Sequence, residues 1–194
     1  MEVLGALTLQ IAMGVGLAAC AGLRAFLPLF VVSLAGKLEW VPLADRFEWL
    51  ASWPAVTVFG AAVVAELLAD KIPLVDHVLD ALEGWLKPIA GALLAVVVLT
   101  EMAPLEATVL GVMAGASTAG AVHVAKAKLR LASSALTAGI GNPFLSLGED
   151  VVALVGSILS IAFPLLIAGV VVVFMLLFYL VFRRYLARAA RAGN

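Results

Sequence analysis

Residues 164–182, "PLLIAGVVVVFMLLFYLVF", form an apolar stretch without a charged side chain. At about 1.5 Å per residue it is about 28 Å of helix, close to the ~30 Å hydrocarbon core of a bilayer. Comparable apolar runs cover 3–20, 51–69, 88–103, 105–124 and 147–163. Within lipid, each backbone N–H and C=O must be bonded by the protein itself, which restricts spanning structures to helices and closed barrels. These runs have helix length, unlike the ten-residue alternating strands of an outer-membrane barrel. Composition agrees: of 194 residues, 64% are apolar and 13% charged, and the mean hydropathy is +1.16, whereas soluble domains are near half apolar and a quarter charged. The expected fold class is an all-α polytopic membrane protein, a single membrane domain over 1–194 that ends in a basic tail at 184–194.

Two apolar runs, 25–36 and 131–140, are too short to cross a bilayer as helix, and both read as re-entrant half-helices. The segment 73–87 reads as an amphipathic helix lying in the interface. Leu74, Val75, Val78, Leu79, Leu82, Trp85 and Leu86 form its apolar stripe, opposed by Asp76, Asp80, Glu83 and Lys87 on a solvated face. The resulting count is six spanning helices, two half-helices and one interfacial helix.

The formal net charge of −1 hides an asymmetry, because Arg183, Arg184, Arg188 and Arg191 crowd the end of the chain. The positive-inside rule places this tail in the cytoplasm. Six spans then put the N-terminus inside as well, with Lys71, Lys87, Lys126, Lys128 and Arg130 joining the tail on the inner side. Trp40, Trp49 and Trp53 mark the outer boundary, and Tyr179 and Tyr185 the inner one. In the competing topology, residues 25–36 span, the N-terminus is outside and Arg24 is cytoplasmic.

The order helix, short run, helix, helix occurs twice. "KPIAGALLAVVV" at 87–98 and "FPLLIAGVVVVF" at 163–174 share a proline followed by an Ala-Gly pair. With three spans per half, 1–103 and 104–183 would be an inverted repeat of the kind that places transporter sites at the midplane.

Cys20, the single cysteine, excludes an internal disulfide and a cysteine metal cluster, and its small neighbours suggest packing. "LAAC" at 17–20 resembles a lipoprotein cleavage box. Glu2 is the only early charge where a secretory signal needs a positive one, so 3–20 reads as a retained helix.

The residues that suggest a solute or ion pathway are Arg24, Glu66, Asp70, Asn142, Glu149 and Asp150. Arg24 lies in "AGLRAFLPLF" among apolar residues, where a charge is costly and faces either a partner or a polar cavity, unless it snorkels to the headgroups. Glu66 and Asp70 share one helix face, with Glu66 about a turn deeper in the membrane. Lys126, Lys128 and Arg130 read as ordinary cytoplasmic charge.

In "GNPFLSLGED" at 141–150, Asn142 fits a helix cap with Pro143 at the first position, and Ser146 with Glu149 fits a capping box for a helix beginning near Leu147. Asp150 is left unexplained by that box. Gly111 and Gly115 make a GxxxG, a packing signal, and Ser117 and Thr118 are candidates to line a polar path. His77 and His123 lack zinc-ligand spacing. No nucleophile, base and acid series, phosphate loop or His-x-x-Glu motif is present, so neither an enzyme nor a cofactor is expected.

"AGLRAFLPL" (21–29), "ELLADKIPLVDHVLD" (66–80), "KPIAG" (87–91) and "GNPFLSLGED" together resemble the domain of unknown function 4126, a family of small bacterial membrane proteins. The resemblance implies a location in the bacterial inner membrane and no particular activity. The residues themselves suggest a small transporter or channel-like protein for an anionic or lipid-like solute with proton or cation coupling. The alternative is a structural or assembly protein that binds a partner through its interfacial helix and small-residue faces. The lipid bilayer and further copies of the chain are the expected partners; nothing suggests nucleic acid.

Overall fold

The computed structural model describes residues 2–69, 73–138 and 140–192. The side chains of 73–81 and 185–192 lie outside that description, and with them those of His77, Asp76, Asp80, Tyr185, Arg188 and Arg191, as do Asp70 and Lys71 altogether. All regular structure described is helical: α1 Glu2–Leu23, α2 Phe26–Lys37, a 3-10 helix Asp45–Ala51, α3 Trp53–Ala69, α4 Pro73–Val97, α5 Pro104–Gly111, a π-helical turn Val112–Ala116, α6 Ser117–Thr137, α7 Asn142–Ala162 and α8 Pro164–Ala192. Helices α5 and α6 continue through the π turn as one rod, Pro104–Thr137.

Four helices are long and apolar enough to cross a membrane: α1, the α5–α6 rod, α7 and the Pro164–Arg184 part of α8. A fifth is the 3-10 helix taken together with α3, bent by 64°. The segments 73–87 and 88–103, expected as two elements, form a single helix through Pro88 up to Val97. Proline lacks the N–H that would bond the carbonyl four residues back, here that of Gly84, yet the helix continues. The run 131–140 forms no half-helix of its own; α6 proceeds to Thr137, and Ala138 takes the left-handed conformation (φ 51°) that ends it. Only α2, with 12 residues, is a separate short helix.

Helix α1 is the centre of the bundle, packed by α4, α6, α7 and α8. Its small residues make this possible. A Cβ on Gly14 would lie 3.1 Å from Ala95 Cα, one on Gly16 2.5 Å from Ser160 Oγ, and one on Gly22 2.5 Å from the Ala119 carbonyl oxygen. Cys20 is buried and faces Gly156, as its small neighbours suggested. Without a hydrophobic drive between helices in lipid, such close van der Waals contact is a main source of association. The GxxxG also packs within the chain: Gly115 meets Gly91, and Gly111 meets Val96.

The same contacts fix helix directions. Gly16 beside Ser160 and Cys20 beside Gly156 make α1 antiparallel to α7. Gly14 beside Ala95 and Gln10 bonded to Thr100 make it antiparallel to α4. Helix α2 turns back at Arg24 and runs against α3, with Phe30 beside Gly60 and Ser33 donating to the Leu50 carbonyl. The loop after α2 is tied to the end of α4 by the Ala44 N–H on the Val97 carbonyl, 2.9 Å.

One end of the bundle therefore holds the start of α1, the 38–52 loop and the end of α4. The other holds Arg24, the end of α6, the start of α7 and the end of α8. Because Ile167 sits against Gly16 near the α7–α8 turn, α8 runs parallel to α1, and the start of α1 and the end of α8 lie at opposite ends of the bundle. The α5–α6 rod also runs parallel to α1, since both are antiparallel to α4: Gly91 meets Gly115 and Val96 meets Gly111. The expected same-side termini and inverted repeat find no support in these directions.

Gly115→Ala would drive a methyl group into the Gly91 carbonyl oxygen and the Ala95 side chain. Overpacking of this kind costs about 1–3 kcal/mol, so unfolding in detergent should show that loss. Gly148→Ala, with nothing within 4 Å of the new atom, should unfold like the wild type.

Candidate functional site

The reversal between α1 and α2 exposes the last carbonyls of one helix and the first N–H groups of the next, which need partners wherever water is absent. Side chains from other helices supply them. Glu66 of α3, 5% exposed, accepts the Ala25 N–H on Oε1 at 2.9 Å and the Phe26 N–H on Oε2 at 3.3 Å. It caps α2 from outside, and its negative charge sits at the positive end of that helix. On the other side of the break, Lys126 Nζ of α6 donates to the Leu23 carbonyl at 3.1 Å, a cation at the negative end of α1.

Arg24 lies between these two caps and is fully buried. Its Nε pairs with Asp150 Oδ1 at 2.5 Å, and its Nη2 donates to Ser146 Oγ at 2.9 Å. Ser146 and Asp150 are four apart on α7, so both face the arginine. Asp150 keeps a side-chain exposure of 23%, against 1% for Arg24, and is the less buried member of the pair.

A second set of ion pairs adjoins the first. Lys126 Nζ is 3.0 Å from Glu149 Oε2, which also lies 3.1 Å from Arg130 Nη2. Lys87 pairs with Glu83, and Glu83 Oε2 is 3.9 Å from Lys126 Nζ. Among the described residues, Arg24, Lys87, Lys126 and Arg130 thus meet Glu66, Glu83, Glu149 and Asp150, four cations and four acids. Helices α3, α4, α6 and α7 are joined to the α1–α2 turn through this network.

Of the residues suggested by sequence, Arg24, Glu66, Glu149 and Asp150 come together here, and Asp70 lies outside the described residues. Asn142 is separate: its Nδ2 donates to Ser134 Oγ at 2.8 Å, fastening the start of α7 to α6. The proposed caps do not form. Gly141 is the N-cap residue and α7 begins at Asn142, so Ser146 and Glu149 are already interior to the helix and free to face Arg24, Lys126 and Arg130.

Three residues read as solvated charge are buried members of the network: Glu83, Lys87 and Lys126. Helix α4 also turns opposite to expectation there, with Leu82 and Trp85 exposed and Glu83 and Lys87 inward. The available signal was spacing, since Glu83 with Lys87 and Lys126 with Arg130 are each four apart and share a helix face.

A cleft of about 760 Å³ opens beside the network between α1, α6, α7 and α8. Its wall is almost wholly apolar, with Lys126, Lys128 and Glu149 at one end. Neither Arg24 nor Asp150 lines it.

These helices and their buried charges define a polytopic helical membrane protein built around a broken helix pair. The chain belongs to the family described as "Domain of unknown function (DUF4126)", whose model matches residues 11–184. No curated protein and no solved structure matches it.

Lys126→Met leaves Glu149 with Arg130 alone, and Glu149→Gln leaves Lys126 with the more distant Glu83; removing one partner from a buried charge is destabilising, by up to about 3–5 kcal/mol when no other remains. Unfolding of the two single variants and the double variant should give a double-variant loss well below the sum, the mark of direct coupling.

Proposed function

We propose that the chain is a small transporter of the bacterial cytoplasmic membrane that moves an anionic solute together with a proton. The supporting observation is a buried arginine at a helix break, paired with a carboxylate whose side chain is 23% exposed. Broken helices whose ends face charged groups are a recurring way to build an ion or solute site within a membrane. In this reading an arriving anion replaces the Asp150 carboxylate on Arg24 while Asp150 takes up a proton. The buried charge is the same before and after, so the exchange avoids leaving an uncompensated ion in a medium of low dielectric.

The Arg24 end of the bundle, which includes exposed Arg183 and Arg184 on α8, faces the cytoplasm. The start of α1 and the exposed Trp40, Trp49 and Trp53 face outward, with the tryptophans at the outer boundary. Helix α2 rises about 18 Å against a core of ~30 Å, so it acts as a half-helix and Arg24 lies below the inner membrane surface.

The balance of four cations by four acids favours a second reading, in which the network only fastens the helices of an assembly protein. Proteoliposomes holding a pH-sensitive dye, exposed in turn to phosphate, sulfate and succinate, separate the two. The transport reading expects lumenal acidification with at least one anion, abolished in Arg24→Ala and uncoupled from uptake in Asp150→Asn. Absence of flux in wild-type protein, with the variants changing only stability, would establish the structural reading instead.

A further inference from the structure

The cleft between α1, α6, α7 and α8 adjoins the charge network at Lys126 and Glu149, and its two ends differ in chemistry. Val122, Val152, Ile167, Val170 and Phe174 are among the side chains that make an oily wall. From Phe144 to Gly156 along α7 the wall runs about 18 Å at helical rise. Its volume of about 760 Å³ is within the range of small-molecule sites.

The polar end lies where Leu23, Leu129 and Phe144 meet, on the same end of the bundle as the arginines of α8. Lys126 and Lys128 both line it, opposite one acid, Glu149, which Lys126 shares with Arg130. Lys128 is exposed and stands outside the balanced network, so it adds positive charge at the mouth. Around the cleft, Phe144, Val152, Leu165, Val170 and Phe174 are exposed apolar side chains of α7 and α8, a surface suited to hydrocarbon.

We propose that this cleft binds one anionic phospholipid of the adjoining leaflet. The phosphate rests at Lys128, and one acyl chain lies along α7 and α8 toward Gly16 and Ile167. An apolar slot in a membrane protein is matched by an acyl chain, and the lysine supplies the preference for an anionic headgroup over a zwitterionic one. The site goes beyond the transport reading and stands without it, because binding requires neither flux nor any exchange at Arg24.

Gly148 provides the decisive variant. It lines the cleft, and nothing lies within 4 Å of a Cβ placed there, so the side chain of Gly148→Leu has an open point of entry into the slot. The full chain would be reconstituted in vesicles of phosphatidylcholine containing phosphatidylglycerol with a diazirine in the acyl chain. After illumination, adducts are mapped by mass spectrometry. The expected result is labelling of α7 and α8 within the cleft, competed by unlabelled phosphatidylglycerol and reduced at least several-fold by Gly148→Leu. Labelling at exposed Val58 and Val64 of α3 should stay unchanged. Lys128→Gln should lower the preference for phosphatidylglycerol about fivefold, the factor carried by one lysine near an anionic surface.

Cleft labelling that Gly148→Leu leaves intact, or that both lipids compete equally, would overturn the proposal, since it would describe ordinary boundary lipid. Absence of lipid adducts in the cleft while Val58 and Val64 are still labelled would overturn it too, since the cleft would then be closed to lipid.

Discussion

Reversing a chain inside a membrane protein leaves helix ends without water to bond them, and the rest of this structure follows from how that demand is met. At Arg24 the chain turns from α1 into α2. The Ala25 and Phe26 N–H groups are accepted by Glu66, and the Leu23 carbonyl is bonded by Lys126. Each of those side chains is charged and buried, so each needs further company. Lys126 draws in Glu149, Glu149 draws in Arg130, and Arg24 draws in Asp150. One backbone turn thereby recruits α3, α6 and α7, and Glu83 near Lys126 adds α4.

Packing at the centre answers a related demand. A charged cluster can link α3, α4, α6 and α7 only if those helices approach closely around α1. Gly14, Gly16 and Gly22 on α1, with Gly91 and Gly115 at the α4–α6 crossing, leave no room for a Cβ at the contacts. Ser157 and Ser160 lie fully buried near Cys20 and return their hydroxyls to their own helix, on the Ala153 and Gly156 carbonyls. The interface stays thin and its polar atoms stay satisfied. The oily cleft lies where this close packing stops, between the outer helices α6, α7 and α8.

Much of the fold was legible in the apolar runs, because a bilayer fixes both helix length and helix character. Pro73, Pro104 and Pro164 begin helices in the structure, as residues without a needed N–H do. Pro88 does not, and a break read from it divided α4 in two. The half-helix over 131–140 rested on its length alone, which does not tell a short element from the last turns of a long one. Arg24 and Glu66 were legible as costly charges and Asp150 as an acid that no local pattern explained; in the structure Arg24 pairs with Asp150 and Glu66 accepts the Ala25 and Phe26 N–H groups beside it. Ser146 and Glu149 were assigned to a cap because S-x-x-E is a local pattern, whereas their partners are distant in sequence: Arg24 for Ser146, Lys126 and Arg130 for Glu149. Glu83 and Lys87 were misread for a physical reason. An amphipathic helix in water turns its apolar face inward, but in lipid the solvent is itself apolar, and here the charged face turns to the protein.

Beside these caps lies the pair on which the transport proposal rests, Arg24 with Asp150. Whether the turn is held by side chains at all is testable one amide at a time, by hydrogen exchange on the full chain in detergent, read by mass spectrometry with electron-transfer fragmentation. Ala25 and Phe26 should be strongly protected in wild-type protein and should lose that protection in Glu66→Ala, while the middle of α1 keeps its own. Fast exchange at Ala25 and Phe26 in the wild type, or equal protection in the variant, would contradict a turn capped by Glu66.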